Sequence, residues 1–208
     1  MAKFNMFQVD NPFNNFMTKV FDVVLLNALF LLCSIPIVTM GASATALYYV
    51  MLKLVRDEEG GILKEFFRAW KENLKQSVPM FLIFAVFAGI LMADLHILKG
   101  SDSSASMIMY GGCVALLLAL GAVAGYAFPL LARFENTVKG TIVNAGKIAV
   151  THLPQTFLIL LINLVPVLWV LISPETFAPV FVIWLVIGSG LAAYLNSIFL
   201  VNIFEKLA

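Results

Sequence analysis

Charge is what this sequence has least of. Only 12% of its 208 residues are Asp, Glu, Lys or Arg, against about 25% in ordinary soluble domains. A compact fold in water needs a charged surface, so a soluble globular domain is excluded. Histidine and cysteine are scarce too, with two of each. His96 and His152 stand alone. Cys33 and Cys113 lie inside apolar runs, and neither has a His or a second Cys at metal-ligand spacing. No metal, disulfide or cofactor is expected. A net charge of +1 leaves no basic field for nucleic acid.

The groupings that carry catalysis are missing as well. Asp94 and His96 are two apart, so on a helix they point in different directions. Gly111-Gly112 and Gly121-x-x-x-Gly125 lie in an apolar run without a flanking Lys. They suit close helix packing better than phosphate binding, as does Gly188-x-x-x-Ala192. We therefore expect no catalytic residue and no enzyme.

What fills the chain is apolar: 62% of residues, with a mean hydropathy of +0.98. Apolar runs of about 18 or more residues with few charges read as membrane spans, and the first below is broken only by Asp94 and His96 near its end. Val78–Leu98, Ile108–Ala132, Leu153–Ile172 and Ala178–Phe204 qualify. Val20–Leu52 carries only one charge, Asp22. As one helix it would be ~50 Å long, against a hydrocarbon core of ~30 Å. Pro36 disfavours helix just before it, and Gly41 follows. The run thus reads as two helices broken at Pro36–Gly41, with Ser43 as N-cap of the second. The alternative is one long kinked span.

The expectation is an all-α, polytopic transmembrane bundle of six helices, or five if that run is a single span. It forms one domain over residues 1–208. A secretion leader is not expected. Val20–Ile35 and Ala42-Ser43-Ala44 have its outline, but Lys3, Asp10, Asn11-Pro12 and Lys19 do not make a short basic start.

Basic residues orient the bundle, because cytoplasmic loops collect them. Lys53, Arg56, Lys64, Arg68, Lys71, Lys75, Arg133, Lys139, Lys147 and Lys206 share one side in either topology. With six helices Lys3 and Lys19 join them, leaving Lys99 opposite. A multi-pass plasma-membrane protein follows, with large loops and C-terminus cytoplasmic. Its cytoplasmic amphipathic segments lie at about 53–77 and 133–152.

Between Gly60 and Ser77, Leu63, Phe66, Phe67, Trp70 and Leu74 share one helical face. Lys64, Arg68, Lys71 and Lys75 form a basic stripe beside it. That pattern suits a surface helix in the headgroup region, with Trp70 as anchor. A docking helix for a cytoplasmic partner is the sharper alternative. Gly61–Ser77 also parallels Gly140–Thr156: Leu74-Lys75-Gln76-Ser77 matches Leu153-Pro154-Gln155-Thr156, and Arg68 matches Lys147. A parallel repeat of span, surface helix and span would explain this. Inside the spans, Asn27, Asn163 and Asn196 are the deepest polar residues. Interhelical hydrogen bonding is the plainer account of them, and a substrate path the sharper.

Several stretches resemble the YesL family, also called DUF624, of small bacterial membrane proteins. They are Ile35–Ser43, Thr45–Tyr49, Leu52–Gly60, Phe66-Phe67, Phe128–Phe134, Asn144-Ala145 and Leu153-Pro154. The resemblance implies an accessory role beside carbohydrate ABC importers. The partner would be a permease, an ATPase or a membrane sensor. It makes Arg56, Asp57, Glu58, Phe66, Phe67, Trp70, Arg133 and Phe134 candidate partner contacts. A stand-alone sugar or small-solute transporter is the alternative.

Overall fold

The computed structural model describes residues 12–58, 60–100 and 103–206. Lys3, Asp10, Asn11 and Glu59 lie outside the described residues. The chain forms α1 (Pro12–Cys33), α2 (Met40–Val55), α3 (Ile62–Leu98), α4 (Ser104–Arg133), α5 (Val138–Thr151), α6 (Leu153–Ile172), α7 (Pro174–Ile183) and α8 (Ser189–Phe204). There is no strand among the described residues. Six helical segments are long and apolar enough to cross a membrane. The protein is a multi-pass, all-α membrane bundle.

Six spans fit better than five. Lys19 near the start of α1 pairs with Asp57 after α2, at 2.5 Å. Arg56 and Glu58 share a cavity with Asn202 and Glu205 at the end of α8. The chain thus enters and leaves at the same end, which requires an even number of crossings. We call this the charged end. Lys99 sits away from it, at the turn between α3 and α4.

The break in the first run falls where Pro36 predicts, between Cys33 and Met40. A short 3-10 turn, Ile37–Thr39, leads into α2. Thr39 holds it by donating its hydroxyl to the Cys33 carbonyl at 2.7 Å. Two details differ from expectation. Ser43 is not the N-cap: it lies one turn inside α2, where its hydroxyl donates back to Thr39 O at 3.1 Å. Gly41 is not part of the break either. A Cβ there would stand 2.6 Å from Ser77 O and 2.7 Å from Phe81 Cβ. This glycine lets α2 lie directly on α3.

The larger correction concerns residues 60–77. They do not form a separate surface helix. Helix α3 runs unbroken through Pro79 for 37 residues, about 55 Å. Its amphipathic half is the antiparallel partner of α2: Gly41 meets Ser77 and Phe81, while Lys53 pairs with Glu65. The apolar face is split accordingly. Phe66 and Ala69 are fully buried against Val23 and Leu26 of α1 and Val50 and Leu54 of α2. Trp70 packs on the same cluster, so it is turned inward and is not an interfacial anchor. Leu63 and Phe67 stay exposed.

A second core joins Met80 and Phe84 of α3, Tyr126 and Leu130 of α4, Ile148 of α5, Ile159 of α6, and Leu200 and Phe204 of α8. Lipid tails are as apolar as these side chains, so close packing and hydrogen bonds hold such cores together. Gly125 serves this purpose, with Ile159 3.0 Å from its would-be Cβ. The outward surface is an apolar belt that includes Val86 and Ile90 of α3, Ile108 and Leu116 of α4, and Phe157 of α6.

The internal repeat has a structural counterpart. At an offset of 79 positions, Phe66, Ala69, Ser77 and Met80 correspond to Ala145, Ile148, Thr156 and Ile159. All eight are buried. Ser77 donates to Asn73 O at 2.7 Å, and Thr156 bonds the equivalent carbonyl, His152 O, at 3.0 Å. The two segments differ in continuity: α3 is unbroken, whereas α5 and α6 part at His152.

Candidate functional site

The charged end gathers most of the residues that the sequence singles out. Helix α2 ends at Val55. The chain then turns through Asp57, which is in the left-handed region (φ 55°) and exposed. Arg56 pairs with Glu58 at 3.2 Å, and its Nε donates to Leu52 O at 3.2 Å. Arg133 closes α4, and Arg56, Glu58 and Glu205 are the charged groups near enough to act on it. Phe134 packs edge-on against Phe204, with centroids 5.7 Å apart, while Arg133 lies 5.8 Å from the Phe134 ring. The ends of α2, α4 and α8 thus meet around Arg56, Glu58, Arg133 and Phe134.

The other candidate contacts lie elsewhere. Phe66 has no exposed surface, so it cannot touch a partner. Phe67 is exposed on the outward side of α3. Trp70 is half-buried, and its Nε1 is buried without an acceptor.

Sequence reasoning overlooked Lys19, Tyr49 and Glu65. The Glu65–Lys53 ion pair (2.8 Å) is partly buried. Tyr49 accepts a hydrogen bond from Arg68 Nη2 at 2.6 Å. Its ring also lies 5.2 Å from Lys53 Nζ and 5.7 Å from the Arg68 guanidinium. A tyrosine one turn before a basic helix end was the available signal.

Two cavities open beside Phe134 and Glu135. One, of about 490 Å³, is lined by residues that include Asn136, Asn144, Lys147 and His152. The other, of about 460 Å³, lies between α2, α3 and the end of α4.

The three intramembrane asparagines divide into two places. Asn196 donates to the Tyr48 hydroxyl at 3.1 Å and stands 3.4 Å from Asn163 Oδ1. Asn163 in turn donates to Ile159 O. These two knit α2, α6 and α8 together. Asn27 is apart from them. A π-helical turn, Trp184–Gly188, separates α7 from α8, and Asn27 is bonded to that turn. Interhelical bonding therefore accounts for all three. Two buried oxygens, Asn196 Oδ1 and Ser197 Oγ, have no partner among the described residues.

No group of three or more metal-ligating side chains occurs among the described residues. Asp94 and His96 are placed within α3 and do not bond each other.

Residues 23–95 match the family model DUF624, a protein of unknown function. The DUF624 match covers α1 from Val23, the Pro36 turn, α2 and nearly all of α3. It contains the antiparallel α2–α3 pair and both sides of the Lys53–Glu65 bridge. The resembling stretches at Phe128–Phe134 and Asn144–Pro154 fall beyond it. No curated protein and no solved structure matches the chain.

Proposed function

We propose that this chain is a non-enzymatic partner subunit of a carbohydrate ABC uptake system, with its charged end in the cytoplasm. The outward face of α3 carries the reading. Leu63 and Phe67 are exposed there, beside exposed Lys64, Arg68, Lys71 and Lys75. Lys64, Lys71 and Lys75 form no ion pair among the described residues. An apolar strip edged by unpaired cations suits a protein partner with an acidic rim, such as an importer permease or its ATPase. The rigid α2–α3 pair behind it makes the face a preformed surface. The excess of basic residues at this end supports its cytoplasmic orientation.

The test is affinity purification from native membranes under conditions that preserve complexes. The reading expects an importer permease, ATPase or sensor subunit to co-purify with the wild type. It expects that subunit to be lost with the triple change Lys64→Glu, Lys71→Glu and Lys75→Glu. Recovery of no such subunit, or equal recovery with the triple variant, contradicts it.

A second reading is a stand-alone facilitator. Interrupted helices line substrate paths in several transporters, and the π turn before α8 is such an interruption. Uptake of a labelled oligosaccharide into liposomes containing only this protein would favour it.

A further inference from the structure

The cavity between the two halves, about 460 Å³, lies within the size range of small-molecule sites. Its polar wall comes from Tyr49 of α2, Glu72, Asn73 and Gln76 of α3, and Arg133 and Glu135 around the end of α4. Three of these residues carry charge, and no salt bridge joins them: neither Glu72 nor Glu135 is paired with Arg133 or any other cation among the described residues. Arg133 Nη1 is buried and has no acceptor.

The neighbouring cations are already engaged. Lys53 is spent on Glu65, and Arg68 donates to the Tyr49 hydroxyl. That bond occupies the Tyr49 oxygen as acceptor and leaves its own proton free to donate. The wall thus offers two exposed carboxylates without a salt bridge, one guanidinium with a buried nitrogen lacking an acceptor, and one hydroxyl proton free to donate.

Glu72 and Glu135 are exposed at the cavity's rim, but the buried Arg133 nitrogen in this partly enclosed site calls for a ligand that supplies an acceptor. A plain anion would meet two carboxylates. A plain cation would leave the guanidinium without an acceptor. A molecule with both groups answers both demands.

We infer that this cavity binds a small zwitterion, with its ammonium group at Glu72 and Glu135 and its carboxylate or phosphate at Arg133. The proposal does not depend on the docking reading. The cavity lies between α2, α3 and α4, whereas docking uses the outward strip of Leu63 and Phe67. The same chemistry occurs in soluble molecules, such as phosphoethanolamine or glycine, and in the phosphatidylethanolamine headgroup.

Two arms test the inference and separate these sources. In the first, the full-length protein in detergent is titrated with phosphoethanolamine and with glycine, following binding by calorimetry. Ethanolamine and inorganic phosphate are the single-charge controls. In the second, the protein is released from phosphatidylethanolamine nanodiscs, and retained lipid is read by native mass spectrometry.

Saturable binding of phosphoethanolamine or glycine, roughly tenfold tighter than either control, assigns a soluble ligand. Retained phosphatidylethanolamine without soluble binding assigns the headgroup. Either result requires a matching loss of roughly tenfold in Arg133→Gln and in Glu72→Gln. Tyr49→Phe, which removes only an oxygen, gives a smaller loss in a protein of unchanged melting temperature. It keeps the test valid if a charge variant fails to fold. Absence of binding in both arms, or equal binding by wild type and all folded variants, overturns the inference.

Discussion

Asn27 replaces the hydrogen bond that Gly190 would otherwise make in its own helix. In a regular α-helix the Gly190 N–H would donate to Val186 O, four residues back. Here Gly190 N donates to Asn27 Oδ1 at 2.8 Å. Asn27 Nδ2 donates to Leu185 O and Val186 O, at 2.7 and 2.8 Å. One fully buried carboxamide thus pairs the backbone groups that the π turn at Trp184–Gly188 sets free. Asn27→Leu removes all three bonds, and each buried group left unpaired costs about 1–3 kcal/mol. Asn27→Asp keeps the acceptor for Gly190 but turns an oxygen toward two carbonyls. Both variants are expected to melt well below the wild type in detergent. An unchanged melting temperature for Asn27→Leu would sink this account of the turn.

Gly41 makes a second prediction. A methyl group there would meet Ser77 O and Phe81 Cβ at under 3 Å. The first is backbone and the second is the rigid root of its side chain, so neither can simply swing away. Gly41→Ala forces α2 and α3 apart, at a cost of about 1–3 kcal/mol by the usual scale of overpacking. Gly89 and Gly111 have nothing within 4 Å of the same construction. Alanine there is expected to be neutral or slightly stabilising, since it has the better helix propensity. Thermal melts of the three variants check the ranking.

Phe66 and Phe67 are adjacent but not equivalent. Phe66→Ala opens a cavity between α1, α2 and α3, at about 3–5 kcal/mol. Phe67→Ala alters an exposed side chain, 41% accessible, and is expected to move stability by less than about 1 kcal/mol. The order is read from unfolding midpoints. If Phe67→Ala proved the more damaging, the burial of α3 against α2 would be wrong.

Much of the fold was legible in the sequence. Leu153–Ile172 is helix α6 to the residue, because an uncharged run of bilayer length has little else it can form. Pro36 marked the first break for a local steric reason. What was not legible depended on contacts between helices. The pattern over 60–77 reads as a surface helix because Leu63, Phe66, Phe67, Trp70 and Leu74 share a face. Nothing in that pattern says that Phe66 turns onto α2 while Phe67 does not. Gly41 looked like a helix breaker, because a sequence does not show what lies across from it. Of the site, the basic ends Arg56 and Arg133 were readable from charge. Lys19 and Glu65 were not, since their partners are distant in the chain.

The Lys53–Glu65 pair supplies a fourth prediction. Both side chains are mostly buried, at 23% and 16% accessible. Removing one partner leaves the other charge unpaired in a poorly solvated place, which costs more than removing both. Lys53→Met and Glu65→Leu are each expected to destabilise the protein more than the double variant does. A double-mutant cycle on melting temperature measures this. A double variant less stable than either single would contradict it.

The central claim joins the six-span bundle to the proposal that its charged end faces the cytoplasm. Cysteine labelling tests it most directly. In a background with Cys33 and Cys113 replaced by Ala, single cysteines are placed at Glu58, Lys99, Glu135 and Lys147. A membrane-impermeant maleimide is then applied to intact cells. We predict labelling of Lys99→Cys from outside, and of the other three only after permeabilisation. Labelling of Glu58→Cys or Glu135→Cys in intact cells would contradict the account.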